Sequence, residues 1–242
     1  MTKDKNIPKS EVIQMNRVYQ STMDFNKFLL KNNILSKNKK TKVLDIGTGI
    51  GSNLKYFANQ FKYSEFVGID YSKKKINYAK KINKNKRVSF HCADMLKKNN
   101  LISKLNNYDL SISIHTICCF KNLEKPIKFL CDFKTKWIAI NSLFYDGPID
   151  VEIHMKDLNK TIKENNHPDS DFNIFSYQTL GEELKKNGYK IRVIQPYFPK
   201  KPIKKLGKNR GSYTIQTEFS KNTVFSGPIF LPWQFVLAKS DN

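Results

Sequence analysis

Three glycines at a spacing of two, Gly47-x-Gly49-x-Gly51, follow a short apolar run that contains an acid, Val43-Leu44-Asp45-Ile46. Glycines at such a place let the backbone turn sharply and let a ligand lie against the main chain. A second apolar run, Phe66-Val67-Gly68-Ile69, ends in Asp70, 19 residues after Gly51. A carboxylate at about that remove is placed to accept hydrogen bonds from ribose hydroxyls. A third run closes in the same way, on Cys92-Ala93-Asp94. The ordered set of loop, acid and acid is far more specific than a glycine loop alone. The loop reads GxGxG followed by Ser52, without the third glycine of GxGxxG, which counts against a nicotinamide dinucleotide. Asp45, two residues before the first glycine, suits a ligand that carries an amino-acid ammonium.

These residues need strands to end where they stand. Residues 43–47, 66–70, 88–94, 108–115, 136–144, 189–197 and 232–240 read as strands, and 52–62, 72–81, 123–133 and 176–187 as helices. Ser72 is a plausible N-cap, and Gly188 ends the last of those helices. Residues 95–106 read as a polar helix or loop. Strand and helix alternate from 43 to 144, which predicts an α/β fold: a mostly parallel, seven-stranded sheet with helices on both faces. Val12, Met15, Val18, Tyr19, Met23, Phe25 and Phe28 follow the helical period and predict an amphipathic helix over 9–32. The chain reads as one domain, 1–242, with a helical cap at 9–35 and lid insertions at 145–175 and 197–230. Residues 151–155 and a hairpin at 212–226 are expected to pair into one small antiparallel sheet over the ligand.

On the motifs already quoted, residues 40–145 resemble the class I S-adenosylmethionine-dependent methyltransferases. VLDIGTGIG looks like their first motif, VGIDYS their second, CADM their third and YDLSISIHTICCF their fourth. The resemblance implies a Rossmann-like fold and S-adenosyl-L-methionine as cofactor. It implies that Asp45, Gly47, Thr48, Gly49 and Gly51 approach the methionine and ribose, and that Asp70 holds both ribose hydroxyls. Tyr71 would pack on the adenine, Asp94 would accept from its amino group, and Met95 would lie beside the ring. Ile114 and His115 would face the sulfonium. There is no Asn/Asp-Pro-Pro-Tyr after the fourth strand, which argues against methylation of DNA-base amino groups. Cys118 and Cys119 read as buried apolar residues starting a helix, which argues against a thiol nucleophile.

The composition bounds the rest. Hydrophobic residues make up 39% of 242, so the chain folds rather than staying disordered. No apolar run approaches the ~18 residues of a membrane span. MTKDKNIPKSEVIQ lacks the apolar core of a secretory signal, and four scattered cysteines suit reduced thiols in a cytoplasmic protein. No spacing suggests a metal site. The net charge of +22 invites a polyanion partner, yet only four of the 43 basic residues are arginine, the residue suited to phosphate and base edges. Asn is also frequent, at 25, so the lysines fit a general compositional drift. Residues 146–183 depart from it, with nine acids and three lysines. Strand alternation there places Asp150, Glu152 and His154 on one face, a carboxylate–imidazole group able to act as a base or to clamp an amine. His115 competes with His154 for a proton role, and Tyr19 is placed to close the pocket. The expected activity is methyl transfer to N or O of a small-molecule acceptor, amine or sugar-like. An RNA or protein methyltransferase and a non-catalytic S-adenosylmethionine-binding protein are the alternatives. A homo-oligomer is compatible with the chain.

Overall fold

The computed structural model describes residues 12, 17–97, 100–105, 107–155, 170–205 and 212–241. Its main sheet carries β1 (Lys42–Ile46), β2 (Glu65–Asp70), β3 (Val88–Cys92), β4 (Leu110–Ile114), β5 (Trp137–Tyr145), β9 (Tyr189–Pro196) and β13 (Trp233–Ser240) in the spatial order 3-2-1-4-5-13-9. The five strands from β3 to β5 are mutually parallel. β13 runs antiparallel to both β5 and β9, so one strand of the seven is reversed. A short β8 (Phe175–Ser176) adds to the end of β5. The mostly parallel, seven-stranded order matches the expected fold class, and the reversal of the last strand is added by the structure.

Parallel strands covered on both faces read as continuous apolar runs. β1 shows why: Val43 enters the core on one face while Leu44 and Ile46 enter the other. On the first face lie α1 (Gln20–Lys31), α2 (Ser52–Gln60) and α3 (Lys73–Ile82). The second holds the single turn α4 (Leu101–Lys104), α5 (Glu124–Asp132) and α6 (Tyr177–Lys186). The Ser72 hydroxyl caps α3 by accepting from Lys75 N–H, as its position suggested. Ser176 caps α6 through Thr179 N–H. The Asp150 carboxylate reinforces that cap, accepting from Ser176 N–H and from the Thr179 hydroxyl at 2.8 Å.

Residues 9–11 and 13–16 of the predicted helix over 9–32 lie outside the described residues. Within them, Arg17–Tyr19 is not helical and α1 begins at Gln20, with Tyr19 extended at its N-cap. Val18 is half-buried and Tyr19 exposed there, with the Tyr19 ring edge-on to His115, so the apolar period through them does not mark a continuing helix. The two insertions also do not pair with each other. β6 (His154–Met155) pairs with β7 (Ser170–Asp171), while β10 (Ser212–Ile215), β11 (Thr223–Ser226) and β12 (Ile229–Phe230) form a separate antiparallel sheet. Each strand finds its partner within its own insertion, where the connecting chain is short.

Phe235 of β13 fastens the N-terminal helix to the sheet. Its ring lies 5.2 Å from Phe25, 5.5 Å from Phe28 and 4.8 Å from Tyr197. Phe235→Ala should therefore cost about 3–5 kcal/mol of unfolding free energy in urea titration; a loss under about 1 kcal/mol would show that α1 is held elsewhere.

Candidate active site

The glycine loop leaves β1 at the carboxyl edge of the parallel strands. Gly47 and Gly51 sit at φ +84° and +80°, in the left-handed region that favours glycine. Space forbids a side chain as well: a Cβ on Gly47 would run into the Thr116 side chain, and one on Gly51 would meet the Phe90 ring at 2.5 Å. The loop is stitched to β2, because Gly47 and Thr48 both donate N–H bonds to the Ile69 carbonyl at 2.8 and 3.0 Å. Asp70 completes the stitch. One carboxylate oxygen accepts from Gly49 N–H and the other from Ser72 N–H, each at 2.9 Å. Each oxygen retains a lone pair for a further donor.

Asp45 is 1% exposed and accepts from the Thr48 hydroxyl at 2.7 Å. Burial pushes its carboxyl up to about 7; the Thr48 bond opposes this and the nearby Asp70 charge adds to it. Two carboxylates at one loop disfavour a phosphate and favour hydroxyl, ammonium or sulfonium groups. Tyr71 projects from the end of β2, 71% exposed, and offers an open aromatic face. Asp94 accepts from Leu96 N–H at 2.9 Å and lies 3.7 Å from the Lys97 ammonium. Met95 beside it is half-buried. The motif residues are thus gathered along one rim, from β1 to just past β3.

β4 delivers Ile114 and His115 to the same edge. His115 adopts φ +58° and donates its N–H to the Asn141 carbonyl at 2.8 Å, which turns its ring back over the sheet. Ser21 Oγ of α1 and Asn141 Nδ2 of β5 both lie 3.1 Å from His115 Nε2. Both contacts fall on the same ring nitrogen, and the other amide atom of Asn141, Oδ1, is buried without a partner among the described residues. Trp233 packs on the ring at 4.5 Å and Tyr19 meets it edge-on at 6.1 Å. Burial holds the imidazole well below its usual value, at about 4.

The contacts join His115 to Tyr19, as anticipated, and to Ser21, Asn141 and Trp233, whose roles were not. Asn141 carried a legible signal, since it is a fully buried amide inside the apolar run WIAINSLF. Ser21 carried none. Glu152 and His154 are exposed, on the segment whose β6 pairs with β7. Asp150 of the same anticipated trio spends its carboxylate on the α6 cap. That insertion is nevertheless fastened at the correct edge. Buried Asn173 donates to the Cys118 and Phe120 carbonyls, just past His115, and accepts from Ile153 N–H. Cys118 is buried as expected, whereas Cys119 is exposed. Among the described residues no group of three or more His, Cys, Asp or Glu could hold a metal, and no helix is long and apolar enough to cross a membrane.

Comparison with known proteins bears on this geometry. A family model described as a methyltransferase domain matches residues 37–218. No curated protein matches the sequence. Among solved structures, a SAM-dependent methyltransferase from Aquifex aeolicus is similar with a TM-score of 0.55 at 16% identity, covering 98% of this chain and 100% of that one. An S-adenosylmethionine-dependent methyltransferase from Mesorhizobium loti gives 0.56 at 13% identity, over 88% and 97%. The N-terminal domain of EvdMO1, crystallised with S-adenosylhomocysteine, gives 0.54 at 11% identity, over 91% and 81%.

The raised Asp45 makes stability pH-dependent in the cofactor-free protein. Below about pH 4 both folded and unfolded states hold the proton; as pH rises the unfolded chain releases it first, while the folded protein keeps it up to about pH 7. Stability relative to Asp45→Asn should therefore fall between about pH 4 and 7, by on the order of 4 kcal/mol, and level off above. Denaturant titrations across that range give the difference; a flat curve would mean that Asp45 is ionised and solvated in the folded state.

Proposed function

The chain belongs to the class I S-adenosylmethionine-dependent methyltransferases, and on that premise we propose that it methylates N or O of a small-molecule acceptor bound beneath α1, beside His115. The observation that carries this reading is the closed cluster around His115. The end of β4 is bridged by Ser21 to the N-terminal helix and walled by Tyr19 and Trp233. A cover of this kind suits a compact acceptor.

The cofactor is S-adenosyl-L-methionine, and the carboxylate-rich, phosphate-averse rim fits it. Asp70 would take the ribose hydroxyls on its unused lone pairs, and Tyr71 and Met95 would flank the adenine near Asp94. Gly47, Thr48, Gly49 and Gly51 would lie along the methionine, with the ammonium on the Asp45 side. The uncapped start of α2 at Gly51 offers positive dipole to a carboxylate. When bound, the cofactor supplies a methyl carbon already activated by a sulfonium, displaced in line by the acceptor's lone pair.

What remains for the protein is to orient the acceptor and exclude water. His115 suits the first task. Its Nε2 is held by Ser21 and Asn141, and its depressed basicity keeps the ring neutral at pH 7. A neutral imidazole puts no second cation beside the sulfonium. His115 is thus a positioning group and not a base. Glu152 and His154 stand on the exposed insertion, where a base role requires that insertion to close over the site.

A screen of metabolites with methyl-labelled cofactor tests the reading. Transfer to a small amine or alcohol supports it; transfer to RNA or protein alone would overturn it. Asp70→Ala should weaken cofactor binding by about 1–3 kcal/mol in calorimetry, and an unchanged affinity would remove the ribose assignment. With an acceptor in hand, log kcat should show no inflection between about pH 5 and 7.5 that disappears in His115→Gln, because the ring stays neutral throughout that range.

A further inference from the structure

Positive charge on this chain is not spread evenly over its two helical faces. Residues 71–93 hold eight cations and no acid. Lys73, Lys74, Lys80, Lys84 and Lys86 are exposed there, along α3 and the loop that follows it. α2 beside it also lacks acids. Arg87 is excluded from the surface role, because its guanidinium donates to the Ala58, Phe61 and Ser64 carbonyls at 2.7, 2.6 and 2.9 Å. Those bonds bring the 61–64 turn against the 84–87 loop, so that exposed Lys62 and Tyr63 join Lys84 and Lys86. At the other end of α3, Lys73 and Lys74 follow exposed Tyr71. The result is a lysine strip with an open aromatic side chain at each end. Its α3 section alone spans about 15 Å.

The nearest acids are all engaged. Glu65 is ion-paired with Lys40, Asp70 is buried in its two backbone bonds, and Asp94 faces Lys97. The opposite face is different in kind. Glu124, Asp132, Glu182 and Glu183 stand among its lysines, and Lys128–Asp132 and Lys186–Glu183 pair at 2.6 and 2.7 Å. Compositional drift raises lysine on every surface; it does not strip acids from α2 and α3 and leave them on α5 and α6.

We propose that this strip binds single-stranded RNA, by its phosphates along α3 and by base stacking at Tyr63. Lysines without an exposed arginine give point-charge contacts to a backbone and no bidentate base reading, so the binding is sequence-tolerant. An exposed aromatic side chain beside a basic track suits an unpaired base. An anionic membrane fits less well, because interfacial helices present an apolar stripe beside their cations, and the buried residues of α3, Ile76 and Ala79, face the core. The surface is separate from methyl transfer, and the proposal goes beyond that activity.

Fluorescence anisotropy with a labelled single-stranded RNA of about 20 nucleotides tests it, without cofactor, from about 0.05 to 0.4 M KCl. The strip variant replaces Lys73, Lys74, Lys80, Lys84 and Lys86 by Gln. The control replaces the exposed Lys121, Lys125, Lys136, Lys185 and Lys190 by Gln, which removes the same charge from elsewhere. The strip variant should lose at least tenfold in affinity, and its slope of log K against log salt should shrink by about 3, while the control stays within about threefold of the parent. Equal losses in both variants would reduce the binding to net charge and overturn the proposal. So would absence of RNA binding by the parent, or strip-dependent binding to phosphatidylserine vesicles without binding to RNA. Should the fivefold variant unfold, the Lys73/Lys74 and Lys84/Lys86 double variants must each lose affinity; if neither does, the proposal fails. Because no cofactor is present, failure here leaves the methyltransferase reading standing.

Discussion

The Asp70 carboxylate is the constraint on which the site depends. By accepting one N–H from Gly49 and one from Ser72, it ties the glycine loop of β1 to the start of α3. The geometry is shared: the loop cannot move without breaking a charge-assisted bond, and α3 cannot shift without leaving a buried carboxylate short of donors. The arrangement also sets the sign of the site. With Asp45 buried alongside and raised in part by the Asp70 charge, the loop holds more negative character than its backbone amides can balance. A bound cation relieves that excess. The same glycine-loop geometry that cradles phosphate in other folds is here turned against anions by two side chains.

Around His115 the logic is reversed. In the proposed site the ring would stand beside the sulfonium, where a positive charge is harmful, and burial keeps it uncharged. Asn141 and Ser21 hold its Nε2 from two different layers, one in the middle of β5 and one on the helix that covers it. The contact therefore both fixes the ring and closes α1 onto the sheet. Phe235, one neighbour across from Asn141 in the β5–β13 register, carries the apolar half of the same closure.

The parts legible in the sequence are those set by local rules. Alternating strands and helices, the cap at Ser72, the loop glycines and the acids at strand ends follow from periodicity and from short-range geometry. The parts that were not legible are pairings between distant segments. Nothing local says that residues 151–155 pair with 170–171 instead of the hairpin, because short strands choose partners by proximity after the core has formed. Asp150 looked like part of a functional carboxylate–imidazole face, yet it caps α6, 26 residues away. A carboxylate has the same chemistry in either role, and only the fold decides which N–H groups it meets. Ser21 is similar: a hydroxyl on an amphipathic helix gives no sign that it will reach an imidazole 94 residues on.

The fold by itself does not fix the chemistry. One architecture hosts many unrelated activities. What separates such uses is the furniture at the carboxyl edge. Here the residues proposed for the cofactor come from one contiguous stretch, 45–95, with Ile114 and His115 added at the end of β4. Those proposed around the acceptor, Tyr19, Ser21, His115, Asn141 and Trp233, come from segments far apart in the chain. Most of the acceptor set can therefore change without disturbing the glycine loop, and acceptor choice can drift while the methyl donor stays fixed. This division explains why the motif of residues 43–51 names the cofactor so readily and the sequence is nearly silent on the acceptor.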